Sequence, residues 1–315
     1  MTIGTGTRGL GSRNDRHTPT RSGWAGRLVL TPGTALYFGP GGYAATHSHR
    51  AVQLVWAADD PIALTLWKRG GESRTFRAQA ALIPANVRHA VDAAGRAVVV
   101  LLGEPEGARG AALQQFALSR WGRDLDGELA SVEFPNPDIS PRMLAELPER
   151  LMQALGLQSG CGQPLSIAIL RAIGAIEQSL DSVPRLSAVA ATAALSSSRF
   201  SHRFANEVGI PFRRFVLWAR IRRAVDEIAR GSNLTVAAMA AGFSDAAHLT
   251  RNFHDTFGLS PSMLFSGMQI TGSLWPRSAQ AGNHSKQRER SSPAIAGAIP
   301  CANDSIEDDH RDQVD

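Results

Sequence analysis

The stretch TVAAMAAGFSDAAHLTRNFHDTFGLSPSMLF, residues 235–265, decides the reading of this chain, because a near-copy, SAVAATAALSSSRFSHRFANEVGIPFRRF, occupies residues 187–215. Ser187 aligns with Thr235, Ala190 with Ala238 and Leu195 with Phe243. After one inserted residue, Phe204 aligns with Phe253 and Gly209 with Gly258, and Pro211 answers Pro261. Self-similarity of this kind marks one supersecondary unit used twice, too few copies for a solenoid. Each copy reads as helix, tight turn, helix. Ser187 and Thr235 are good N-cap residues. The alanines after them let a second helix approach closely. The turn falls at Ala194-Leu195-Ser196 and at Gly242-Phe243-Ser244, and the next helix starts near Ser197 or Asp245. Phe200 and Phe204, or Leu249 and Phe253, share its inner face. Gly209 and Gly258 then suit left-handed C-terminal caps.

Between the copies, PFRRFVLWARIRRAVDEIARG at 211–231 predicts one long helix, with Phe212, Phe215, Val216, Ala219, Ala224 and Ile228 near one face. A helix of about 18 residues spans roughly 27 Å. That length can set two inserted helices about one DNA turn apart, roughly 34 Å, on one side of a duplex.

The motif G-F-S-D-x-x-H-L-x-R-x-F at 242–253, followed by F-G-x-S-P at 257–261, resembles the second-unit signature of the AraC/XylS family of transcription regulators. The resemblance covers about 165–265. It implies a DNA-binding domain of two helix-turn-helix units joined by a long helix. Ala194 departs from the pattern, since glycine is common at that turn; a positive φ there would cost on the order of 1 kcal/mol.

Charge fits a nucleic-acid partner. Residues 164–265 carry eleven Arg against seven Asp and Glu. Residues 196–223 carry Arg199, Arg203, Arg213, Arg214, Arg220, Arg222 and Arg223 against Glu207 alone. These arginines are the expected phosphate contacts, which set register without reading sequence. By resemblance, the base-reading positions are Ser197, Ser198, Ser201 and His202 in the first unit, and Ala246, Ala247, Thr250 and Arg251 in the second. Arg251 has the fork that bonds a guanine edge, and Thr250 or Ala246 can meet a thymine methyl. His248 reads as a backbone-contact or packing residue.

The N-terminal half has another texture. Short apolar runs, LVL at 28–30, ALYF at 35–38, VQLVWA at 52–57, IALTLW at 62–67 and AVVVLL at 97–102, are separated by turn residues. That spacing predicts an all-β sandwich or small barrel. GGYAATHSHRAVQ at 41–53 resembles the first cupin motif, with Gln53 in place of the usual glutamate. PANVRH at 84–89 resembles the second, with Asn86 in place of glycine. In metal-binding cupins the matching residues are ligands, which implies His47, His49 and His89 around a divalent ion. Gln53 lacks the charge of a carboxylate. The competing expectation is an effector pocket lined by His47, His49, Gln53 and His89, with no cofactor. Trp56 and Trp67 are expected in the core.

The fold expected is therefore α+β in two domains, a cupin-like β barrel followed by an all-α domain. Residues 1–22 read as a disordered tail, 23–110 as the effector-binding domain, 111–163 as a helical linker or dimerisation segment, 164–265 as the DNA-binding domain and 266–315 as a second disordered tail. The Met and Leu stripe of RMLAELPERLMQAL suits either a dimer helix or a domain core.

The 315 residues allow about two domains. The net charge of +5 favours anionic partners. Cys161 and Cys301 are too few for a zinc cluster, and nothing argues for a disulfide. With no secretory leader and no long apolar run, the expected location is the cytoplasm. No P-loop lysine and no nucleophile elbow occur, so no enzymatic activity is expected. The resemblance implies promoter DNA, a small-molecule effector, RNA polymerase and a second copy of the chain as partners, and no membrane. Two alternatives stay open: a metal-dependent cupin enzyme with a fused helical domain, and a non-specific DNA binder using only the basic patch.

Overall fold

A computed structural model describes residues 23–68, 70–120, 122–157 and 165–274. The N-terminal tail, residues 275–315, the glycine-rich 158–164 stretch and both cysteines lie outside the described residues. In chain order the β-rich half comprises β1 Arg27–Thr31, β2 Thr34–Pro40, β3 Tyr43–His47, β4 Val52–Ala57, β5 Ile62–Trp67, β6 Ser73–Ala78, β7 Ala80–Ile83, β8 Arg88–Asp92 and β9 Ala97–Gly103. Helices α1 Ala108–Ser119, α2 Asp126–Leu129 and α3 Pro141–Ala154 follow. The C-terminal half holds α4 Ile167–Gln178, α5 Leu186–Thr192, α6 Ser197–Val208, α7 Phe212–Ala229, α8 Leu234–Ala240, α9 Ala246–Phe257, α10 Pro261–Phe265 and a last strand, β10 Gln269–Gly272.

The strands form two facing sheets, ordered β10-β1-β2-β9-β4-β7 and β3-β8-β5-β6. The four-stranded sheet alternates as the pleat requires. In β5, Ile62, Leu64 and Leu66 are buried while Ala63, Thr65 and Trp67 are half-exposed. The six-stranded sheet is covered on both faces, which is why β4 is apolar nearly throughout. Val55 and Ala57 face the interior between the sheets. Leu54 and Trp56 face a second core made with α1, α2 and α3.

That second core corrects the expected linker. Leu144, Leu147, Leu151 and Met152 of α3 are buried against the back of the six-stranded sheet. The stripe is domain core, and 111–157 belongs to the N-terminal unit.

The helical half follows the repeat. Ala194 and Gly242 occupy equivalent turns with φ of 54° and 78°, and Gly209 and Gly258 cap α6 and α9 at 79° and 71°. The first caps lie two residues earlier than expected. Arg185 precedes α5 without a side-chain bond, and Asn233 caps α8 by accepting from the Val236 amide at 2.9 Å. Helix α7 buries two faces rather than one. Phe212, Phe215 and Ala219 join the first unit's core, whereas Ile221, Ala224 and Val225 join the second's.

The two units are anchored differently. The first keeps its own core around Phe200 and Phe204. The second is continuous with the sandwich interior, so that Leu249 and Phe253 share one core with Leu64 and Val91. The segment after it was expected to be a disordered tail. Instead β10 pairs in parallel with β1, Arg27 opposite Gln269, and extends the sensor sheet. Beyond the strand, Ser273 Oγ and the Leu274 amide donate to the buried Asp226 carboxylate of α7 at 2.9 and 2.8 Å.

Candidate DNA-reading surface and interdomain cavity

Each reading helix is started by a side chain. Ser196 accepts from the Arg199 amide, and Asp245 from the His248 amide at 2.6 Å. The His248 N–H, then the Ser244 hydroxyl, hold the Asp245 carboxyl below its usual range. On α6, Ser198 and His202 are exposed, while Ser197 and Ser201 are half-buried. Ser201 Oγ donates back to the Ser197 carbonyl at 2.9 Å. On α9, Ala247 and Arg251 are exposed and Ala246 and Thr250 half-buried, with Thr250 Oγ1 donating to Ala246 O at 2.8 Å. His248 packs edge-on to Phe243 at 5.3 Å.

The arginine set divides. Arg199, Arg213 and Arg214 are exposed. Arg203 pairs with Glu207 at 2.7 Å, and Arg223 with Glu227 at 3.3 Å. Pairs this open to water are weak and exchange readily. Arg220 donates to Ser182 O at 3.1 Å. Arg222 corrects its expected role: it is 6% exposed and turned into the domain contact, at 2.5 Å from Glu104 and 3.4 Å from Glu177. It is unavailable to a phosphate. Its spacing could have shown this, since Arg222 follows Trp218 by four and Ala219 by three, on an inward face of α7. A second buried pair, Arg50 with Glu106 at 3.0 Å, closes the same contact, with the Arg50 guanidinium 5.9 Å from the Phe215 ring. Burial pushes Glu104 up to about 7, against the pull of Arg222.

Between the halves lies a cavity of about 130 Å³. Trp24, Leu30, Tyr37 and Val100 line it from the sandwich; Trp218, Phe253 and Phe257 line it from the helical half. Sequence reasoning missed these apolar walls. Of the four expected pocket residues, His47 and Gln53 border the cavity. His49 and His89 join His47 in a buried cluster, one ring nitrogen of each within 4.8 Å of the others. Asn86, where the cupin motif has glycine, takes φ of 63°, so the glycine-like turn survives.

The cluster fits a divalent ion. Each Nδ1 meets a backbone carbonyl: His47 that of Ala45 at 2.6 Å, His49 that of Ala51 at 2.9 Å, and His89 that of Val87 at 2.9 Å. A carbonyl only accepts, so each Nδ1 carries the proton and each Nε2 is left as an acceptor, that of His49 already engaged by the Gln53 carboxamide. Desolvation by burial, then the neighbouring His49, lowers His47 to about 3, and burial lowers His49 and His89 as well. All three rings are therefore neutral at pH 7. The Gln53 carboxamide lies 2.8 Å from His49 Nε2, and with the proton on Nδ1 that ring nitrogen accepts from the amide once its N–H₂ is turned toward the ring. A bound ion would draw from Gln53 a neutral oxygen rather than a carboxylate.

Two capped helices on one repeated plan, joined by a rigid 18-residue helix beside exposed arginines, define a double helix-turn-helix DNA-binding protein. Residues 189–266 match a family model described as a helix-turn-helix domain. That stretch, from α5 through α10, is therefore a helix-turn-helix domain. No curated protein matches it. Among solved structures it is similar to ToxT from Vibrio cholerae, with 14% identity over 76% of this chain and 98% of that one, at a TM-score of 0.47. The C-terminal domain of AraT, a response regulator from Geobacillus stearothermophilus, matches 35% of this chain and 92% of its own at 21% identity and a TM-score of 0.32. The DNA-binding domain of AdpA, solved with a target DNA, matches 32% and 92% at 20% identity and a TM-score of 0.30. Among the described residues no helix is long and apolar enough to cross a membrane.

Proposed function

We propose that this protein is a DNA-binding transcription regulator of the AraC type, that it reads its operator with Ser197, Ser198, Ser201 and His202 of α6 and Ala246, Ala247, Thr250 and Arg251 of α9, and that a small molecule between its halves sets how well it does so. Arg199, Arg203, Arg213, Arg214, Arg220 and Arg223 form the phosphate set; Arg222 does not. The protein acts in the cytoplasm and catalyses no reaction. One observation carries the effector reading: the cavity has walls from both the sandwich and the second DNA-reading unit. A ligand there touches both halves at once, so its affinity depends on their relative pose, which is the condition for coupling. ToxT has been solved with an unsaturated fatty acid bound.

The cavity indicates the ligand class. A site of roughly 150 Å³ lined by Leu, Ile and Phe takes benzene, so about 130 Å³ suits a compact, mainly apolar molecule of about one ring. The buried Trp24 Nε1–H, which has no hydrogen-bond partner among the described residues, offers such a ligand one donor.

The test begins with a duplex selected by the full-length protein from a random pool. Arg251→Ala should lose about 1–3 kcal/mol of discrimination at one base pair. Equal weakening on every sequence would mean that Arg251 only contacts phosphate. Failure to select any duplex would sink the reading. Quenching of Trp24 and Trp218 fluorescence by small aromatic compounds checks the cavity, and compounds that bind should shift duplex affinity.

A further inference from the structure

We propose that the cavity between the halves takes an organic cation, a compact aromatic amine whose ammonium group meets Glu104 while its ring lies among the aromatic walls. The proposal rests on the reading of that cavity as a ligand site and adds the ligand's charge.

The charge comes from a count. Three carboxyl groups, Glu104, Glu106 and Glu177, act on one another at the domain contact, and among the described residues two guanidiniums answer them. Arg222 lies 2.5 Å from Glu104 and 3.4 Å from Glu177, and Arg50 lies 3.0 Å from Glu106. The neighbouring acids of α7, Asp226 and Glu227, are balanced by Arg223 and Arg230. The cluster is therefore one positive charge short. Of its three acids, Glu104 is the one that lines the cavity. Its Oε1 faces Arg222, and its Oε2 stands 3.8 Å from where a Cβ on Gly33, another lining residue, would sit. Desolvation by burial, with Glu106 and Glu177 nearby, pushes Glu104 up to about 7, against Arg222 and the Trp218 N–H. A proton thus meets part of the shortfall, and a ligand's positive charge can take its place.

No other titratable group disturbs Glu104 from the elements around it. The β1–β2 turn, Pro32 and Gly33, has none, Arg109 of α1 is paired with Glu149 at 3.3 Å, and His47 on the cavity wall is neutral at pH 7. The walls suit an ammonium as well. Trp24, Tyr37, Trp218, Phe253, Phe257 and Phe265 all border the cavity, and aromatic faces attract a desolvated cation. The Trp24 Nε1–H is left for an acceptor elsewhere on the ligand. An anion finds no such welcome. Arg222 is the one cation among the described lining residues, and two carboxyl groups already flank it. Glu104 follows β9 and Arg222 belongs to α7, so an ammonium that shares Glu104 acts on a bond between the halves.

The experiment titrates the full-length protein with three probes of one shape and three charges, benzylamine, benzyl alcohol and benzoate, followed by tryptophan fluorescence. At pH 8 benzylamine should bind about ten-fold or more tighter than benzyl alcohol, with benzoate weakest. Its affinity should rise by about ten-fold from pH 6 to pH 8 as Glu104 gives up its proton, while that of benzyl alcohol stays level. Glu104→Gln should bind benzyl alcohol as the parent does and lose its preference for the amine. A preference kept in that variant, or a level benzylamine profile in the parent, overturns the proposal; the profile needs no variant and so decides even if E104Q fails to fold. Benzyl alcohol or benzoate binding as tightly as the amine overturns the cation and leaves the ligand site standing. If none of the three binds, the reading of the cavity falls with the proposal. Bound benzylamine should also shift duplex affinity, and the duplex the amine's affinity by the same factor; amine binding without that shift supports the cation site and overturns its effector role.

Discussion

Ala194 holds φ of 54° where its counterpart in the second unit is a glycine. A Cβ in this conformation is strained by roughly 1–2 kcal/mol, and the smaller entropy of the unfolded alanine chain offsets part of that. Ala194→Gly should therefore stabilise the protein by about 1 kcal/mol and raise the thermal midpoint by a few degrees, read by calorimetry. Unchanged or lowered melting would show that the turn is not strained. At this scale the sequence was legible where chemistry is local: the helix starts near Ser197 and Asp245, the Gly209 and Gly258 caps and the departure at Ala194 all follow from the repeat. It was not legible where a side chain's partner comes from elsewhere in the chain. Arg222 looked like its basic neighbours, and only Glu104 and Glu177 reveal what it does.

Among the elements, α9 and its cap carry the contact between the halves. Gly258→Ala places a Cβ against Ala45 O in a left-handed conformation. A cost of at least about 1 kcal/mol is expected, and the turn should lift from β3, seen as faster exchange of the Ala45 amide. Unaltered exchange would mean that α9 is held by its side chains alone. Strand β10 supports the same contact from the other side. Asp226→Asn keeps the shape but weakens the bonds to Ser273 and Leu274, at a cost of about 1–3 kcal/mol. A substitution without effect on melting would make the strap ornamental. Strand β10 could not be read from QITG at 269–272, four residues with no apolar run. Its pairing with β1 joins positions more than two hundred residues apart. The fate of α3 was equally non-local, since its stripe fits a partner chain or its own sheet equally well.

For the molecule as a whole, the domain contact contains a charge cluster in which Arg50, Glu104 and Arg222 are buried and Glu106 and Glu177 half-buried. Folding raises Glu104 from its ordinary value to about 7, chiefly by desolvation. A raised carboxyl contributes stability that is complete below pH 4.5 and is lost as pH climbs through 7. Glu104→Gln, which mimics the protonated acid, should match the parent near pH 5 and gain on it progressively up to pH 8, followed by chemical denaturation. A constant difference across that range would show that Glu104 stays ionised throughout. The two-domain plan and the DNA-binding half were visible from the repeat and the alternating strands. The cavity was not, because its walls come from both halves and exist only once the halves meet.

The strand that closes the sensor sheet is the last piece of described chain, and it reaches the sheet only after the entire DNA-binding half has been made. During synthesis the outer edge of β1 must therefore wait, unpaired, until the reading helices have left the ribosome. The halves are thus interlocked rather than strung like beads. A protease cut between residues 157 and 165 should leave two fragments that still travel together through a sizing column.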